Sequence, residues 1–320
     1  MNYICAEIRD DFAAVNELVI ARLHSEVGLV ESIGHYIVEG GGKRLRPLIT
    51  LLGARALGYG GDQHIALATV IEFLHTATLL HDDVVDVSSL RRGRATANAN
   101  WGNAPSVLVG DFIYSRAFQL LVAIGHMPIL ALLSDTTNII AEGEVEQLAR
   151  AGDPATTEAQ YRQVIHKKTA VLFSAAAKGA AILAATPVAL QQSMADFGLN
   201  LGMAFQLVDD VLDYSGDPSV MGKNVGDDLA EGKPTLPLIY ALQHAPADQA
   251  ERVRSAILNK STEHLSDIVV TVQACGALDY ARQQALVCRD RALSALDVLE
   301  ESPYERNLRD ICALAVERVA

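Results

Sequence analysis

The apolar residues of this chain recur at intervals of three and four almost from end to end. Alanine and leucine, which favour helices, are abundant, and no segment sustains the alternation typical of a β-strand. The sequence therefore predicts an all-α fold. Hydrophobic residues make up 50% of the chain, enough to fill the core of a large helical bundle.

The breaks in this helical pattern coincide with proline and glycine. Polar or glycine-containing connectors cover 56–64, 149–160 and 214–234, and none has the length or composition of a flexible linker. We therefore expect a single domain over residues 1–320. Prolines are expected at helix boundaries: Pro47, Pro105, Pro128, Pro154, Pro187, Pro218, Pro246 and Pro303.

The formal net charge of -13 argues against general affinity for nucleic acid or anionic membranes, whose phosphates repel an acidic surface. A negatively charged substrate would need locally concentrated cations or bound metal. The most hydrophobic segments of the sequence each contain charged residues, so no membrane span is expected. The acidic start "MNYICAEIRDD" lacks the features of a signal peptide. A cytoplasmic location with reduced thiols fits the scattered cysteines: Cys5, Cys275, Cys288 and Cys312.

Three aspartates interrupt an apolar run in "LLHDDVVDV", residues 79–87. On a helix with about 100° per residue, Asp82 and Asp86 lie within about 20° of His75, whereas Asp83 stands to one side. His75 alone would be read as a satisfied core histidine. Its alignment with the two aspartates favours a ligand-facing stripe.

The pattern returns in "QLVDDVLDY", residues 206–214. Gln206, Asp209, Asp210 and Asp213 fit within a helical sector of about 100°. Carboxylates that share a face repel one another, and a hard divalent cation such as Mg²⁺ relieves the repulsion. One copy alone would more commonly be a solvated helix face. Two copies in apolar segments predict Mg²⁺ sites lining a cleft, with substrate phosphates completing the coordination.

Basic residues accompany the aspartates. "GGGKRLRP", residues 40–47, joins a glycine run to Lys43, Arg44 and Arg46, which could grip phosphate oxygens. By itself it would be a basic surface turn. The other cations are Arg91 and Arg92 in "RRG", Lys168 beside Thr169 in "HKKTA", and Lys223 and Lys233 in the loop at 214–234. Snorkelling of Lys168 and simple solvation of the loop lysines remain open alternatives. Together the cations and carboxylates predict two anionic substrates and diphosphate chemistry.

With these blocks in this order, the sequence resembles the trans-isoprenyl diphosphate synthases from about Gly34 to the C-terminal "LAVERV". The resemblance also covers "GDFIYSRAF", "EGEVEQL" and "GKNVGDDLAEGKPTLPL". It implies a single-domain helical bundle around a deep central cavity, and usually a homodimer. Within the family, the chain is most similar to bacterial synthases that make octaprenyl diphosphate for the ubiquinone side chain.

The resemblance also implies residue roles. The allylic substrate would be farnesyl diphosphate. Two or three Mg²⁺ ions would bind its diphosphate group. They would be held by Asp82 and Asp86 with Asp83 behind them, and by Asp209 with Asp210 and Asp213. The same diphosphate would contact Arg91, Lys168, Thr169, Gln206, Lys223 and Lys233. Isopentenyl diphosphate would be bound by Lys43, Arg46, His75 and Arg92.

Product length is expected to depend on the helix that carries the first motif. Ala77 and Thr78 precede Asp82 by about one turn. Short-chain family members carry aromatic residues here that block the growing tail. Small residues predict an open tunnel and a long product. The resemblance implies about eight isoprene units, and seven, nine or ten units remain open.

Other functions explain less of the sequence. A class I terpene cyclase shares the Mg²⁺ carboxylates but needs no isopentenyl site. A shorter-chain farnesyl or geranylgeranyl diphosphate synthase stays closer to the pattern. A non-catalytic subunit of a heteromeric synthase would typically lose one motif, and both are complete here. A metal-buffering protein would account for the aspartates and not for the ordered cations.

Overall fold

The computed structural model describes residues 6–215 and 226–317. This part of the chain is almost entirely helical, which confirms the all-α prediction. After a 3₁₀ turn at Ala6–Ile8, the first helices are α1 Arg9–Leu23, α2 Gly28–Glu39, α3 Leu45–Ala56, α4 Gln63–Val85, α5 Ala97–Trp101, α6 Asn103–Ile124, α7 Met127–Arg150 and α8 Glu158–Ile165. A π-helix at His166–Ala170 is followed by α9 Val171–Leu183, α10 Val188–Ser215, α11 Asp227–Ala230, α12 Leu236–His244, α13 Ala247–Asn259, α14 Leu265–Ala274, α15 Ala277–Ala295 and α16 Pro303–Val316.

The prolines mark helix starts, as predicted. Pro105, Pro128 and Pro303 lie within the first three residues of α6, α7 and α16, and Pro246 is the N-cap of α13. Proline is tolerated there because the first-turn N–H groups have no intrahelical acceptor. Pro218 lies outside the described residues.

A short hairpin was not expected. Leu90–Arg91 and Arg94–Ala95 form an antiparallel two-stranded sheet. Arg92 and Gly93 form the turn, with φ of 53° and 73°. Two successive left-handed residues give the turn a twist that matches the twist of the two strands, as a two-residue hairpin requires. Strands of two residues are too short for alternation to be visible in a sequence.

The described chain forms two compact units. Unit 1 comprises Met1–Thr137, Leu172–Gly198 and Leu293–Ile311, and unit 2 comprises Asn138–Val171, Leu199–Ala292 and Cys312–Ala320. Each unit thus combines segments that are distant in sequence. The first aspartate motif belongs to unit 1 and the second to unit 2.

Helix α4 is central to unit 1, where it packs against α1, α3 and α6. Its contact with α6 depends on Gly110, because a Cβ at this position would lie 2.3 Å from His81 Nε2. His81 Nε2 also lies 3.3 Å from Asp111 Oδ1. The block "GDFIYSRAF" therefore sets the register of α6 against the helix of the first aspartate motif.

Unit 2 has its own hydrophobic core around the C-terminal half of α10. Leu207 and Val211 pack there with Leu238, Val272 and Ala281 from later helices. The apolar residues that flank the second aspartate motif are thus core residues of this unit.

One described helix, α6, is long and apolar enough to cross a membrane by length and composition alone, with a mean hydropathy of 1.6. Core helices of soluble proteins meet the same criterion, so this is weak evidence for a span. The helix carries Asp111 and Arg116, and much of its surface is exposed, since only 39% of the apolar window is buried.

Candidate active site

The first aspartate motif occupies the C-terminal end of α4. The Asp86 N–H donates to the Asp82 carbonyl oxygen over 2.8 Å, so the helical spacing continues through the motif. Asp82 and Asp86 are half-buried on the same stripe as His75, whereas Asp83 is fully buried. The local geometry predicted for this stripe is therefore present.

Asp83 joins the motif to the hairpin. Arg91 Nε donates to Asp83 Oδ1 over 2.7 Å, and Arg91 Nη2 lies at the same distance from that oxygen. Asn98 Nδ2 donates to the Asp83 carbonyl over 3.1 Å. Burial raises the pKa of Asp83 above its ordinary 3.8, although Arg91 opposes this shift. Arg91, predicted to contact diphosphate, is thus also the partner of the middle aspartate.

A basic cluster lies beside α4 in unit 1. The Arg46 guanidinium stacks over the Phe173 ring, with 4.2 Å between its Cζ and the ring centroid. Its buried Nε has no hydrogen-bond acceptor among the described residues, and burial lowers the Arg46 pKa to about 10. Arg92 approaches the glycine run so closely that a Cβ at Gly42 would stand 2.5 Å from Arg92 Nη1. Lys43 is exposed.

One charged residue of this cluster, Glu72, was not predicted from the sequence as a functional candidate. Glu72 lies three residues before His75, and its Oε1 is 3.8 Å from Arg44 Nε. Burial raises the pKa of Glu72 above 4.5, while Arg44, Arg46 and Arg92 act to lower it. Glu72 is one turn from His75 on the same helix, and that spacing could have identified it.

His75, which was expected to bind isopentenyl diphosphate together with Lys43, Arg46 and Arg92, differs from them in charge. Burial lowers its pKa well below the ordinary 6.5, and the positive charges of Arg46, Arg92 and Arg91 lower it further. At neutral pH the imidazole is therefore uncharged. It can donate one hydrogen bond to an anion without contributing positive charge.

The second aspartate motif lies near the end of α10. Asp209 is half-buried, whereas Asp210 and Asp213 are buried. Asp213 Oδ2 accepts a hydrogen bond from the Asp228 N–H over 3.3 Å. Burial raises the pKa of Asp210 well above 3.8, and the negative charge of Asp228 raises it further.

A chain of hydrogen bonds connects this motif to the "HKKTA" segment within unit 2. Thr169 Oγ1 donates to Gln206 Oε1 over 3.0 Å, and Gln206 Nε2 donates to Asp210 Oδ1 over 2.8 Å. The Tyr161 hydroxyl donates to Asp210 Oδ2 over 2.5 Å. Three of these four residues were predicted, and Tyr161 was missed because nothing local to it marks a site.

"HKKTA" forms a π-helix at His166–Ala170 rather than a continuous α-helix. π-Turns inside helices are frequent at functional sites. Gly143 on α7 permits the close approach, since a Cβ there would lie 3.0 Å from the Lys168 backbone nitrogen. Lys168 Nζ then contacts Glu144 Oε2 at 2.6 Å and Gln147 Oε1 at 2.9 Å. The block "EGEVEQL" therefore supplies the partners of Lys168.

Of the two loop lysines, only Lys233 lies within the described residues. Lys233 forms an ion pair with Glu231, and its backbone N–H donates to the Asp228 carbonyl over 2.8 Å. Lys223 lies outside the described residues.

The two predicted length-determining residues have different surroundings. Ala77 is fully buried, whereas Thr78 is half-buried and its hydroxyl donates to the His75 carbonyl over 2.8 Å. On the helix Thr78 lies about 40° from Asp82 and Ala77 about 140° from it. The side chains of Ala77 and Thr78 therefore project from different sides of α4.

Known proteins resemble this chain over nearly its whole length. The sequence profile described as "Polyprenyl synthetase" matches residues 27–274. The chain is 51% identical to the octaprenyl diphosphate synthase of Escherichia coli (strain K12), over 96% of each chain. It is 48% identical to an all-trans-nonaprenyl-diphosphate synthase (geranyl-diphosphate specific) of Rhodobacter capsulatus, over 99% of this chain and 97% of that protein.

A solved structure is also similar. The crystal structure of polyprenyl synthase from Caulobacter crescentus CB15, complexed with calcium and isoprenyl diphosphate, matches with a TM-score of 0.96 and 41% identity. The match covers 100% of this chain and 98% of that one.

The all-helical fold, the paired aspartate motifs and the basic cluster define the class of protein, which is a prenyltransferase. The chain belongs to the polyprenyl synthetase family. Within that family, the relatives at 48–51% identity are synthases of long-chain polyprenyl diphosphates, and long-chain all-trans-polyprenyl diphosphate synthesis is the activity the chain carries.

Proposed function

We propose that this enzyme condenses isopentenyl diphosphate head-to-tail onto an allylic diphosphate, giving about octaprenyl diphosphate for the ubiquinone side chain. The observation that carries the proposal is that different parts of α4 lie at two different groups of charged residues. Its C-terminal end presents two half-buried carboxylates, and the basic cluster with His75 lies about two turns earlier. One helix thus offers separate sites for a metal-bound anion and for an anion bound directly by cations.

The allylic diphosphate site is proposed to use Asp82, Asp86 and Asp209 as ligands of two or three Mg²⁺ ions. Carboxylate oxygens one turn apart suit Mg²⁺, which favours oxygen ligands. Within the described residues no group of three or more metal-ligating side chains could hold an ion by itself. Water and diphosphate oxygens would have to complete the coordination. The similar Caulobacter synthase is complexed with calcium and isoprenyl diphosphate, which supports a divalent cation with a diphosphate.

The remaining contacts to the allylic diphosphate are proposed for residues that already carry hydrogen bonds or ion pairs. Arg91 and Lys168 have acidic partners, Asp83 and Glu144. Such partners hold a long cationic side chain in place before the ligand arrives. Thr169, Gln206 and Lys233 also carry such contacts. Lys223, which is proposed for the same role, lies outside the described residues.

The isopentenyl diphosphate site is proposed for Lys43, Arg46, His75 and Arg92. Support comes from the unsatisfied Nε of Arg46, a buried donor that a phosphate oxygen would satisfy. Glu72 is the acidic residue that faces Arg46 and Arg92. A diphosphate brings more negative charge than this single carboxyl group can provide.

The proposed reaction begins with loss of pyrophosphate from the allylic substrate. Bound Mg²⁺ would supply positive charge that neutralises the diphosphate. Arg91, Lys168 and Lys233 would stabilise the negative charge that grows on the departing pyrophosphate. The double bond of isopentenyl diphosphate then attacks the allylic carbocation, and the adduct loses a proton to the released pyrophosphate. Closure of the loop at 214–234, of which residues 216–225 lie outside the described part of the chain, would exclude water.

The enzyme is further proposed to be a cytoplasmic homodimer with no affinity for nucleic acid. Leu108 and Val122 on α6 and Met127 at the start of α7 are between 66% and 68% exposed in unit 1. Large apolar side chains exposed along one helix are typical of an interface between subunits. Among the described cysteines, Cys275 and Cys288 are free thiols, which fits a reducing compartment.

One domain over residues 1–320 also remains a prediction. The family match at residues 27–274 runs through segments of both compact units, which supports a single functional domain.

The direct test is incubation with radiolabelled isopentenyl diphosphate, Mg²⁺ and either farnesyl or geranyl diphosphate, followed by sizing of the product. We expect a product of about eight isoprene units with farnesyl diphosphate as primer. A nine-unit product made only from geranyl diphosphate would place the enzyme with its Rhodobacter relative. A cyclic hydrocarbon, or no incorporation of label, would refute the proposed function.

A further inference from the structure

A buried tyrosine outside the predicted site contacts the second aspartate motif. Tyr161 on α8 is 5% exposed, and its hydroxyl donates to Asp210 Oδ2 over 2.5 Å. Gln206 Nε2 donates to the other oxygen, Asp210 Oδ1, over 2.8 Å. Both carboxylate oxygens of Asp210 thus accept hydrogen bonds from protein donors within unit 2.

This distinguishes Asp210 from its neighbour Asp209. Asp210 is 3% exposed and each of its oxygens has a donor, which leaves fewer lone pairs for a metal ion. Asp209, which is about 100° from Asp210 around the helix axis, is half-buried. Within the motif, Asp209 is the residue suited to ligate a metal, and Asp210 is suited to support it.

The same contacts determine the orientation of Gln206. Because its Nε2 donates to Asp210, its carbonyl oxygen is turned toward Thr169, whose hydroxyl donates to it over 3.0 Å. Without Asp210 in this position the amide could rotate by half a turn. Tyr161 limits the movement of Asp210, so it acts on Gln206 and Thr169 without touching either.

We propose that Tyr161 and Asp210 are positioning residues that hold the turn of α10 carrying Asp209 and fix the amide of Gln206. The inference rests on the proposed function, since it assumes that Asp209 binds Mg²⁺ and that Gln206 and Thr169 contact diphosphate. Partners that orient a metal ligand commonly affect metal affinity or activity by about 10- to 100-fold. Tyr161 would act in this way.

The test compares Tyr161→Phe, which removes only the hydroxyl oxygen, with Tyr280→Phe as a matched control. Tyr280 lies in the same unit, and its hydroxyl donates to Glu158 Oε2 over 2.9 Å, away from the aspartate motif. Two quantities are measured: the Mg²⁺ concentration that gives half-maximal condensation, and Mn²⁺ affinity by electron paramagnetic resonance with inorganic pyrophosphate present. Thermal unfolding reports the folding of each variant.

For Tyr161→Phe we expect the Mg²⁺ requirement to rise about tenfold and Mn²⁺ affinity to fall by a similar factor. Tyr280→Phe should stay within about twofold of the parent in both measurements. In an Asp210→Asn background, Tyr161→Phe should add less than about a twofold change, because the pair is already broken. If Tyr161→Phe does not fold, Asp210→Asn alone should show the same tenfold rise.

Parental Mg²⁺ dependence and Mn²⁺ affinity in Tyr161→Phe would overturn the proposal. Equal shifts in Tyr161→Phe and Tyr280→Phe would also overturn it, because they would indicate a general effect of packing. An inactive parent chain would instead refute the proposed function. An active parent that is indifferent to Tyr161→Phe refutes this inference alone.

Discussion

At the scale of single residues, the two aspartate motifs divide their carboxylates in a similar way. In each, the middle aspartate is buried and hydrogen-bonded to a residue outside the motif, Arg91 for Asp83 and Tyr161 for Asp210. The first aspartate of each motif is half-buried and remains accessible. All of these residues are aspartates in the same kind of motif. Burial therefore distinguishes a candidate metal ligand from an aspartate that supports it.

We expect Asp82→Ala to abolish Mg²⁺-dependent condensation, with a loss of roughly a hundredfold or more, since it removes a proposed metal ligand. The fold should persist, because Asp82 is a half-buried residue at the end of its helix. The rate of label incorporation and the helical circular dichroism signal check this. Asp209→Ala should behave alike. Full turnover by either variant would contradict the metal assignment.

The uncharged state of His75 leads to a second prediction. Because burial lowers its pKa well below 6.5, His75 stays neutral from mildly acidic pH upward and acts as a hydrogen-bond donor. His75→Gln preserves a neutral donor and should change the KM for isopentenyl diphosphate by less than about threefold. His75→Ala should raise that KM about tenfold, the value of roughly one charge-assisted hydrogen bond. Steady-state kinetics with the allylic substrate at saturation measures both values. Equal effects of the two substitutions would show that the donor is not used.

At the scale of elements, α4 carries proposed metal ligands and the residues expected to limit product length, and it lies beside the basic cluster. We expect Ala77→Phe and Thr78→Phe each to shorten the product, because an aromatic ring would obstruct the growing chain. Ala77 is fully buried, so Ala77→Phe should also lower the free energy of unfolding by about 1–3 kcal/mol through overpacking.

Product sizing and urea unfolding separate these two effects. Ala159→Phe, at an exposed alanine on α8, serves as the control and should change neither quantity. An unchanged product length in both α4 variants would refute the open-tunnel argument.

Within unit 1, helix α1 is held against its neighbours by a partly buried charge cluster. Asp11 accepts hydrogen bonds from Arg55 Nε at 2.8 Å and Nη2 at 2.9 Å, and lies 2.9 Å from His64 Nε2. Burial alone would raise the pKa of Asp11, but the hydrogen bonds from Arg55 and His64 outweigh it and lower the pKa below 3.8. A lowered pKa in the folded state stabilises the fold above the unfolded-state pKa. That stabilisation is lost as the pH falls through the folded-state value.

We therefore expect Asp11→Asn to lower the free energy of unfolding by about 2 kcal/mol at pH 7. The difference between variant and parent should be unchanged down to about pH 5 and should shrink below about pH 4. Urea unfolding across this range measures it. A difference that is as large at pH 3 as at pH 7 would show that the charge of Asp11 is not the cause.

At the scale of the whole molecule, the exposed face of α6 bears on assembly. We expect the parent to run as a dimer in light scattering coupled to size-exclusion chromatography. Leu108→Glu should shift it toward monomer, because a charge would be desolvated in an apolar interface. Val188→Glu is the matched control, since Val188 is 80% exposed and lies at the start of α10 in the same unit. A monomeric parent, or a dimer unaffected by Leu108→Glu, would contradict the proposed homodimer.

Much of the fold and part of the candidate site were predictable, because both depend on local spacing. Helical periodicity is local, so the helices and their proline boundaries followed from it. The stripe of His75, Asp82 and Asp86 followed from the same 3.6-residue repeat. The hairpin at residues 90–95 and the π-helix at 166–170 did not, because each is shorter than the window in which a pattern can be recognised.

By itself, the sequence determined that the chain is helical, that it carries two carboxylate motifs with accompanying cations, and that it matches one enzyme family. Only the tertiary structure decided which aspartates are accessible and that His75 is neutral. It also paired Tyr161 with Asp210 across 49 residues and placed Glu72 beside the arginines. The physical reason is that burial and pKa depend on neighbours brought together by packing, and residues distant in sequence leave no periodic trace of such contacts.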